Sequence, residues 1–147
     1  MATTTFLSNA TINITQGATS YDLSDQANAC TITVGQDSLE ATAFGDTGHR
    51  FVGGLQTVEV SIDFFLSYGG TGSTSEVETA LAAMVGQGST VLTISPSGTT
   101  ESASNPEYTI TNTMLESFTP INSTVGELAT VTATFTGGTW ARDITSP

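Results

Sequence analysis

The only histidine of the chain and the acidic residue near it are the first candidates for catalytic chemistry. His49 lies in the glycine-punctuated stretch 44–51 (FGDTGHRF), three residues after Asp46. A hydrolytic triad needs a base, an orienting acid and a nucleophile held on a sharp turn. Nothing in the stretch resembles a nucleophile elbow. We therefore expect His49 to be a loop residue that makes surface or subunit contacts, and we assign no catalytic residue.

Two other carboxylates, Glu59 and Asp63, share one face of an alternating segment and could in principle perform acid–base chemistry. A solvated strand face is the simpler explanation of their spacing. Metal ligands are equally sparse, because there is one histidine, one cysteine and no Asp-x-Asp motif. We predict no cofactor and no dedicated metal site, with a weak calcium site from scattered carboxylates as the alternative.

The single cysteine, Cys30, cannot form a disulfide within the chain. It lies in the alternating stretch 28–34 (NACTITV) and is best explained as a small buried apolar residue. With one histidine in the sequence, a catalytic Cys–His pair has little support.

The charge balance excludes one class of function. There are 14 acidic residues and 2 basic ones, a formal charge of −12, yet only 11% of residues are charged, so Thr, Ser, Asn, Gln and Gly must form most of the surface. Arg50 and Arg142 cannot neutralise a phosphate backbone, so specific DNA binding is excluded. A hydroxyl-rich surface on strands is typical of proteins that pack against their own copies.

Length and hydropathy are those of one globular domain, expected to span residues 1–147. No apolar run is long enough to cross a bilayer, and the N-terminal residues contain no basic segment followed by an apolar one. We expect a protein made in the cytoplasm, without a secretory signal or a membrane anchor.

Alternation of apolar and polar residues dominates the chain and predicts antiparallel strands with one wet face. The predicted strands are 11–15, 30–34, 39–44, 56–66, 91–95, 108–118 and 128–136. The clearest places Val58, Val60, Ile62 and Phe64 on one face and Thr57, Glu59, Ser61 and Asp63 on the other. The fold class expected is all-β with one α-helix, as two antiparallel sheets forming a sandwich or barrel.

The helix is predicted after Ser75, which with Glu78 forms a capping box. The residues Val77, Ala80, Leu81, Met84 and Val85 recur at helical spacing, and Gly86 supplies the stop. We expect the apolar face of this helix to cover a sheet, with partner binding as the alternative.

The two ends, about 1–9 and about 137–147, are predicted to be arms outside the core. Deletion of 137–147 is expected to leave a soluble monomer that assembles poorly. Gly45, Gly53 and Gly54 are predicted to be turn residues with positive φ.

Two blocks resemble a known family. The first is DSLEATAFGD at 37–46 followed by GGLQT at 53–57, and the second is ESFTP at 116–120 followed by VGELATVTATF at 125–135. Both are similar to blocks of the tail tube (major tail) proteins of long-tailed bacteriophages. The order of the blocks, the helix between them and the chain length also fit that family.

The resemblance implies a structural subunit of the virion tail. In that family, hexameric rings join their inner sheets into one barrel around a channel that guides genome DNA. The rings stack through a long loop, here about 35–55, and through the arms. The implied partners are other copies of the chain, a tail terminator and tail-tip proteins, and the family favours a non-contractile tail.

Two sets of site residues follow. Thr57, Glu59, Ser61 and Asp63 are expected to line the channel, since a wall of carboxylates set among uncharged hydroxyls repels phosphate at close range. A second candidate lining is Thr109, Thr111 and Thr113, or their alternating partners. The expected subunit contacts are Phe44, Gly45, Asp46, His49, Arg50 and Arg142. The alternatives to a tube subunit are a capsid-decorating or adhesin-like binding module and, with least support, an enzyme.

Overall fold

The computed structural model describes residues 10–98 and 101–145, and these form eight strands and one α-helix. The strands are β1 Thr11–Gln16, β2 Thr19–Asp22, β3 Ala27–Glu40, β4 Phe51–Phe65, β5 Thr90–Ser95, β6 Glu107–Ser117, β7 Thr130–Thr136 and β8 Thr139–Asp143. The helix α1 spans Val77–Met84, and short 3-10 turns occupy Ser24–Gln26 and Gly72–Thr74. The predicted class, all-β with one helix, is confirmed.

The strands pair antiparallel throughout, in the order β2-β1-β5-β6-β7-β4-β3, with β8 also paired to β6. Strand β6 belongs to both halves of this arrangement. Its first part pairs with β5 and β8, and its last residues pair with β7. The two expected sheets are therefore continuous through β6 and form one folded eight-stranded sheet.

The change of partner along β6 occurs at a local break in the backbone. Asn112 has a φ of 61°, and Gly137 and Gly138 opposite it have φ values of 83° and 90°. A Cβ at Gly138 would collide with the backbone carbonyl oxygen of Thr111, so a larger residue does not fit there. Gly137 and Gly138 thus let the chain leave β7 and re-pair with β6 as β8.

The core lies between the two halves of the folded sheet, and α1 covers part of it. The largest fully buried side chains come from several strands and the helix: Ile14, Ile62, Phe64, Leu81, Met84, Leu92, Ile110, Leu115 and Phe135. The helix buries Val77, Ala80, Leu81 and Met84 as predicted, so its apolar face does cover the sheet. Val85, the fifth predicted member of this face, is instead the C-cap residue and is 40% exposed. The helix ends before Gly86, which has a φ of 81°.

The capping prediction for α1 is wrong. The N-cap position is Glu76 and no side chain of the cap accepts a helical N–H. Instead, Ser67 accepts hydrogen bonds from the first two N–H groups of the helix. Its Oγ accepts from the Val77 N–H at 3.2 Å, and its carbonyl accepts from the Glu78 N–H at 3.0 Å. The hydroxyl of Ser75 donates to the Gly72 carbonyl at 2.8 Å, within the preceding turn.

The predicted loop and arm also differ from the structure. About half of the stretch 35–55 is strand, because β3 continues to Glu40 and β4 begins at Phe51, and residues 41–50 form the connection. Gly53 and Gly54 therefore lie inside a strand and lack a positive φ. Residues 139–143 of the expected C-terminal arm form β8, paired with β6. The expected N-terminal arm, 1–9, lies outside the described residues.

Candidate assembly surfaces

The strand expected to line a channel has one wet face and one buried face. Val58, Val60, Ile62 and Phe64 are at most 5% exposed. On the other face Thr57 and Glu59 are exposed, and Ser61 and Asp63 are half-buried. The sequence therefore predicted correctly which side chains share the wet face.

The wet face continues onto the strands on both sides of β4. Thr33 and Thr136 flank Glu59, and Thr132 lies opposite Asp63 and donates its hydroxyl to the Asp63 Oδ1 at 2.6 Å. We call this surface the hydroxyl face; its members are Thr31, Thr33, Thr57, Glu59, Ser61, Asp63, Thr132, Thr134 and Thr136. The chain's only two basic side chains, Arg50 and Arg142, lie elsewhere, so the face contains carboxylates and no cation.

The second candidate lining is not a continuous wet face. Thr111 is exposed and Thr109 is half-buried, but Thr113 is fully buried. The positive φ of Asn112 shifts the alternation between Thr111 and Thr113. The Thr113 hydroxyl then donates to the Thr136 carbonyl at 3.1 Å. Thr113 is therefore a structural residue, and the expectation that it lines a channel is wrong.

The hairpin formed by the distal parts of β3 and β4 carries apolar side chains that the described part of the chain leaves uncovered. We define the distal hairpin as residues 35–55. Leu39, Phe51 and Val52 are 50–59% exposed, Leu55 is 78% exposed, and Phe44 at the tip is fully exposed. A two-stranded ribbon is marginally stable on its own. Exposed apolar groups of this number usually mark an interaction site.

Both faces of the distal hairpin carry apolar groups. Leu39 pairs with Val52, which places these two side chains on one face. Phe51 pairs with Glu40, and this neighbouring pair lies on the opposite face. A partner that covers only one face of the hairpin therefore leaves the apolar side chains of the other face exposed to solvent.

The tip of the distal hairpin brings together five of the six residues predicted as subunit contacts. The Asp46 carboxylate accepts from the Ala43 N–H at 2.7 Å and lies 3.8 Å from the Arg50 guanidinium. His49 Nδ1 lies 3.2 Å from the Glu40 carboxylate. Gly45 has a φ of 96°, as predicted, and Phe44 projects beside it. The sixth residue, Arg142, lies on β8 opposite Tyr108 and is not part of this group.

A second exposed apolar surface, which the sequence reasoning missed, lies at the opposite end of β4. We call it the 65–128 patch; its members are Phe65, Tyr68, Ile121, Val125 and Leu128. Ile121 and Leu128 are about four-fifths exposed, and Val125 is fully exposed.

Hydrogen bonds hold the two segments that contribute to the 65–128 patch next to each other. The Tyr68 hydroxyl donates to the Pro120 carbonyl at 2.8 Å, and the Leu66 N–H donates to the Ala129 carbonyl at 2.9 Å. The Asn122 side chain donates to the Thr130 carbonyl at 3.1 Å. The loop before β7 is thereby fixed against the end of β4.

Two groups have pKa values displaced upward. Burial raises the pKa of the Cys30 thiol to about 11, and Cys30 is a half-buried side chain packed against the core. Burial, together with the nearby Glu101 and Asp143 carboxylates, raises the pKa of Glu107. A thiol of high pKa is a poor nucleophile at neutral pH, so Cys30 is a structural residue.

The residues 10–98 and 101–145 contain no group of three or more His, Cys, Asp or Glu side chains that could hold a metal ion. None of the helices in these two ranges is long and apolar enough to cross a membrane.

The same fold occurs in solved structures of contractile injection systems. No family model matches the chain, and no curated protein matches its sequence. Solved structures do match over nearly its whole length. A chain from the sheath/tube terminator of an extracellular contractile injection system (PVC, extended state) has a TM-score of 0.66 and 12% identity, covering 97% of this chain and 98% of that one.

Two further neighbours come from the same kind of particle. A chain from the PVC sheath-tube complex matches at a TM-score of 0.60 and 11% identity, covering 93% of this chain and 89% of that one. A chain from the tube-terminating cap of the anti-feeding prophage matches at 0.61 and 12%, covering 99% and 95%. At these identities the likeness shows the fold. The fold class is thus one that occurs in the tube, cap and terminator assemblies of contractile injection systems.

Proposed function

We propose that this chain is a structural subunit of the tube of an injection-type tail, and not an enzyme. Copies join side by side into rings, and the rings stack around a channel lined by the hydroxyl face. The main support for the proposal is the arrangement along strand β4. The strand has a buried core face and a wet face without a cation, and its first residues belong to an uncovered apolar hairpin. The shared fold with chains of tube and terminator assemblies supports it.

Lateral joining uses the free edges of the sheet. Strand β3 has 14 residues and pairs only with β4 among the described strands, so its other edge presents unpaired backbone groups. Long unpaired edges invite strand addition from another chain. At the other side of the wet half, Glu116 and Ser117 end β6, beyond Leu115, which is bridged to Val85 and whose carbonyl accepts from the Gly86 N–H at 3.1 Å. Pairing β3 of one copy with this end of β6 in the next would continue the sheet across subunits.

The geometry of such a ring is consistent with a channel. Each copy contributes β3, β4, β7 and the end of β6 to the wet half of the sheet. Six copies would give a barrel of roughly 24 strands. At a strand spacing of about 4.8 Å and a tilt of about 40°, its diameter between backbones is about 50 Å. That leaves an open bore after side chains are added.

The hydroxyl face gives the channel a wall that does not retain a polyanion. Glu59 and Asp63 repel phosphate at short range, and salt screens this repulsion beyond about 10 Å at 0.1 M. Threonine hydroxyls offer only neutral hydrogen bonds. DNA or another acidic cargo therefore moves along the bore without specific binding.

The tail that this subunit serves is proposed to be contractile. The sequence resemblance favoured a non-contractile tail, but the structural neighbours come from contractile systems. The partners proposed are other copies of the chain, a terminator, tail-tip proteins and a surrounding sheath. The place of action proposed is an extracellular particle assembled in the producing cell.

A terminator ring that ends the tube is the second candidate, because one neighbour comes from a sheath/tube terminator and another from a tube-terminating cap. A tube subunit must present contacts at both ends of its ring, whereas a terminator needs them at one end only. The distal hairpin and the 65–128 patch lie at opposite ends of β4, which favours the tube subunit.

Electron microscopy of the purified chain, combined with sedimentation velocity, tests the proposal. Long hollow filaments support a tube subunit, and single rings that never stack support the terminator instead. Isolated particles of monomer size at high protein concentration overturn both and favour a capsid-decorating or adhesin-like binding module.

A further inference from the structure

A groove lies beside the start of β3, between this strand and the 3-10 turn that precedes it. Its volume is about 330 Å³, and its walls include Ala10, Ile12, Ser24, Ala27, Asn28, Ala29 and Cys30. Consecutive side chains of a strand point to opposite faces of the sheet, so a groove lined by the four consecutive residues 27–30 runs along the edge of the strand. A register shift between Ala27 and Ala29 adds an extra residue at the same place.

The strand edge that borders the groove has no partner among the described strands. β3 pairs only with β4, so the backbone groups on its other side are unpaired. The groove walls are built mainly of small apolar residues, three of which are alanines. Such walls leave room for a large apolar side chain from another segment.

We propose that the chain's own segment 1–9 docks in this groove, with the side chains of Phe6 and Leu7 against its walls, and shields the start of the β3 edge. Residues 1–9 lie outside the described residues and lead directly into Ala10, which lines the groove. Extended chain reaches about 10 Å from Ala10 back to Leu7 and about 13 Å back to Phe6. So short a tether gives these two side chains a high effective concentration at the groove.

Charge favours this segment over a surface of another copy. The segment 1–9 contains none of the chain's 14 acidic residues, whereas the wall residue Ser24 lies beside Asp25 and donates its hydroxyl to the Asp22 carboxylate at 2.6 Å. The distal hairpin has three carboxylates and one arginine, and the loop 116–129 has carboxylates and no basic residue. Either of those surfaces would bring further negative charge to an acidic rim.

The shielded edge lies at the height in the sheet where β6 ends. Within one subunit Ser117 is opposite Thr134, Thr134 is opposite Ser61, and Ser61 is opposite Thr31. Thr31 directly follows Cys30 of the groove wall. The consequence for assembly rests on the proposed function, in which the end of β6 pairs with β3 of the next copy. The docked segment opposes that pairing until it is displaced, and thereby restrains polymerisation of the free subunit.

The single thiol of the chain reports whether the groove is filled. Cys30 lines the groove, so its rate of alkylation by N-ethylmaleimide is measured on the monomer. Phe6→Ser with Leu7→Ser is expected to raise this rate at least about fivefold, because the groove opens without global unfolding. An unchanged circular dichroism spectrum verifies that the variant is folded. The matched control, Phe44→Ser with Leu55→Ser in the distal hairpin, is expected to react at the wild-type rate. A wild-type rate in the Phe6/Leu7 variant overturns the docking.

A disulfide test decides whether the segment docks on its own subunit. Phe6→Cys and Leu7→Cys are made separately and oxidised with glutathione disulfide at a concentration where the chain is monomeric. At least one is expected to form a disulfide with Cys30 within one chain, seen as a monomer band without free thiol on a non-reducing gel. Phe44→Cys is the control and is expected to form none within the chain. Disulfide-linked dimers from the Phe6 and Leu7 variants, or no disulfide from either, overturn the assignment.

Assembly tests the shielding. Phe6→Ser with Leu7→Ser is expected to lower the critical concentration for pelleting at least about threefold, because the β3 edge is free from the start. An unchanged or higher critical concentration overturns the shielding. Failure of the wild-type chain to assemble overturns the proposed function instead, and the thiol and disulfide tests on the monomer still decide the docking.

Discussion

The two halves of β4 have similar apolar content and opposite environments. From Val58 to Phe64 the apolar side chains are at most 5% exposed, whereas Phe51, Val52 and Leu55 at the other end of the same strand are at least half exposed. Burying apolar surface is worth about 25 cal/mol per Å², so this exposure forgoes a considerable stabilisation. The chain folds around one half of the strand and leaves the other half available to a partner.

The contrast separates residues that stabilise the subunit from residues that stabilise an assembly. Substitutions in the buried half should change the free energy of unfolding of the monomer. Substitutions in the distal hairpin should leave the monomer intact and change association. This separation can be measured residue by residue.

The largest effect is expected in the buried half. Phe64→Ala removes a fully buried aromatic ring and should lower the free energy of unfolding by about 3–5 kcal/mol. Phe51→Ala, the matched change in the exposed half, should alter it by less than about 0.5 kcal/mol. Urea denaturation of the monomer, followed by circular dichroism, gives both values. Comparable losses from the two variants would show that both halves of β4 stabilise the monomer.

The C-terminal strand should behave like the buried half and not like an arm. Trp140 packs against the core, and its ring centroid lies 6.2 Å from that of Tyr108. Its backbone N–H also donates to the Gln56 side chain at 3.3 Å. Trp140→Ala should therefore destabilise the monomer by about 2–3 kcal/mol.

The same packing changes the expected result of truncation. Deletion of 137–147 removes a paired strand and should lower the thermal midpoint of the monomer, whereas the sequence predicted a soluble monomer that only assembles poorly. A truncated monomer with an unchanged midpoint would show that β8 contributes only to assembly.

A double change in the distal hairpin should affect association alone. Leu55→Ser with Phe51→Ser removes apolar area that we expect to be buried between copies, at about 1.5–3 kcal/mol per side chain. The critical concentration for assembly should rise by at least about tenfold, as measured by pelleting across a concentration series. An unchanged critical concentration would mean that the hairpin remains exposed in the assembly.

The smallest effect concerns Glu107, the first residue of β6. The raised pKa of Glu107 means that its carboxyl group binds a proton more tightly in the folded state than in the unfolded state. Its contribution to stability is therefore largest below pH 4.5 and declines as the pH rises through the raised pKa. Glu107→Gln should stabilise the monomer at pH 7 by at most about 0.5 kcal/mol after solvent screening. A destabilised variant at pH 7 would contradict this assignment.

Strict alternation of apolar and polar residues allowed the two faces of β4 to be predicted from the sequence. Residues 57–64 alternate without interruption, so the buried face and the β4 part of the hydroxyl face were both predicted correctly. The same rule failed at Thr113, because the positive φ of Asn112 breaks the alternation within β6. A single backbone break of this kind leaves little trace in the pattern of residue types.

The main error in the predicted fold came from interpreting glycines as loop residues. Gly35 and Gly53 were interpreted as parts of a loop, but both lie in the ladder of the distal hairpin. A Cβ at Gly35 would lie 2.8 Å from the Thr57 hydroxyl, and one at Gly53 would lie 2.7 Å from the Gln36 amide. These glycines make room for neighbouring side chains. The 65–128 patch was missed for another reason: its members come from two segments that only the folded chain brings together.

High-resolution cryo-electron microscopy of the assembled wild-type chain would show directly how neighbouring copies join and which face lines the bore. We expect the β3 edge of each copy to pair with the next subunit, Glu59 and Asp63 to face the bore, and every distal hairpin to be buried against the adjacent layer. An assembly whose Glu59 and Asp63 lie on the outer surface, or whose hairpins project into solvent, would contradict it.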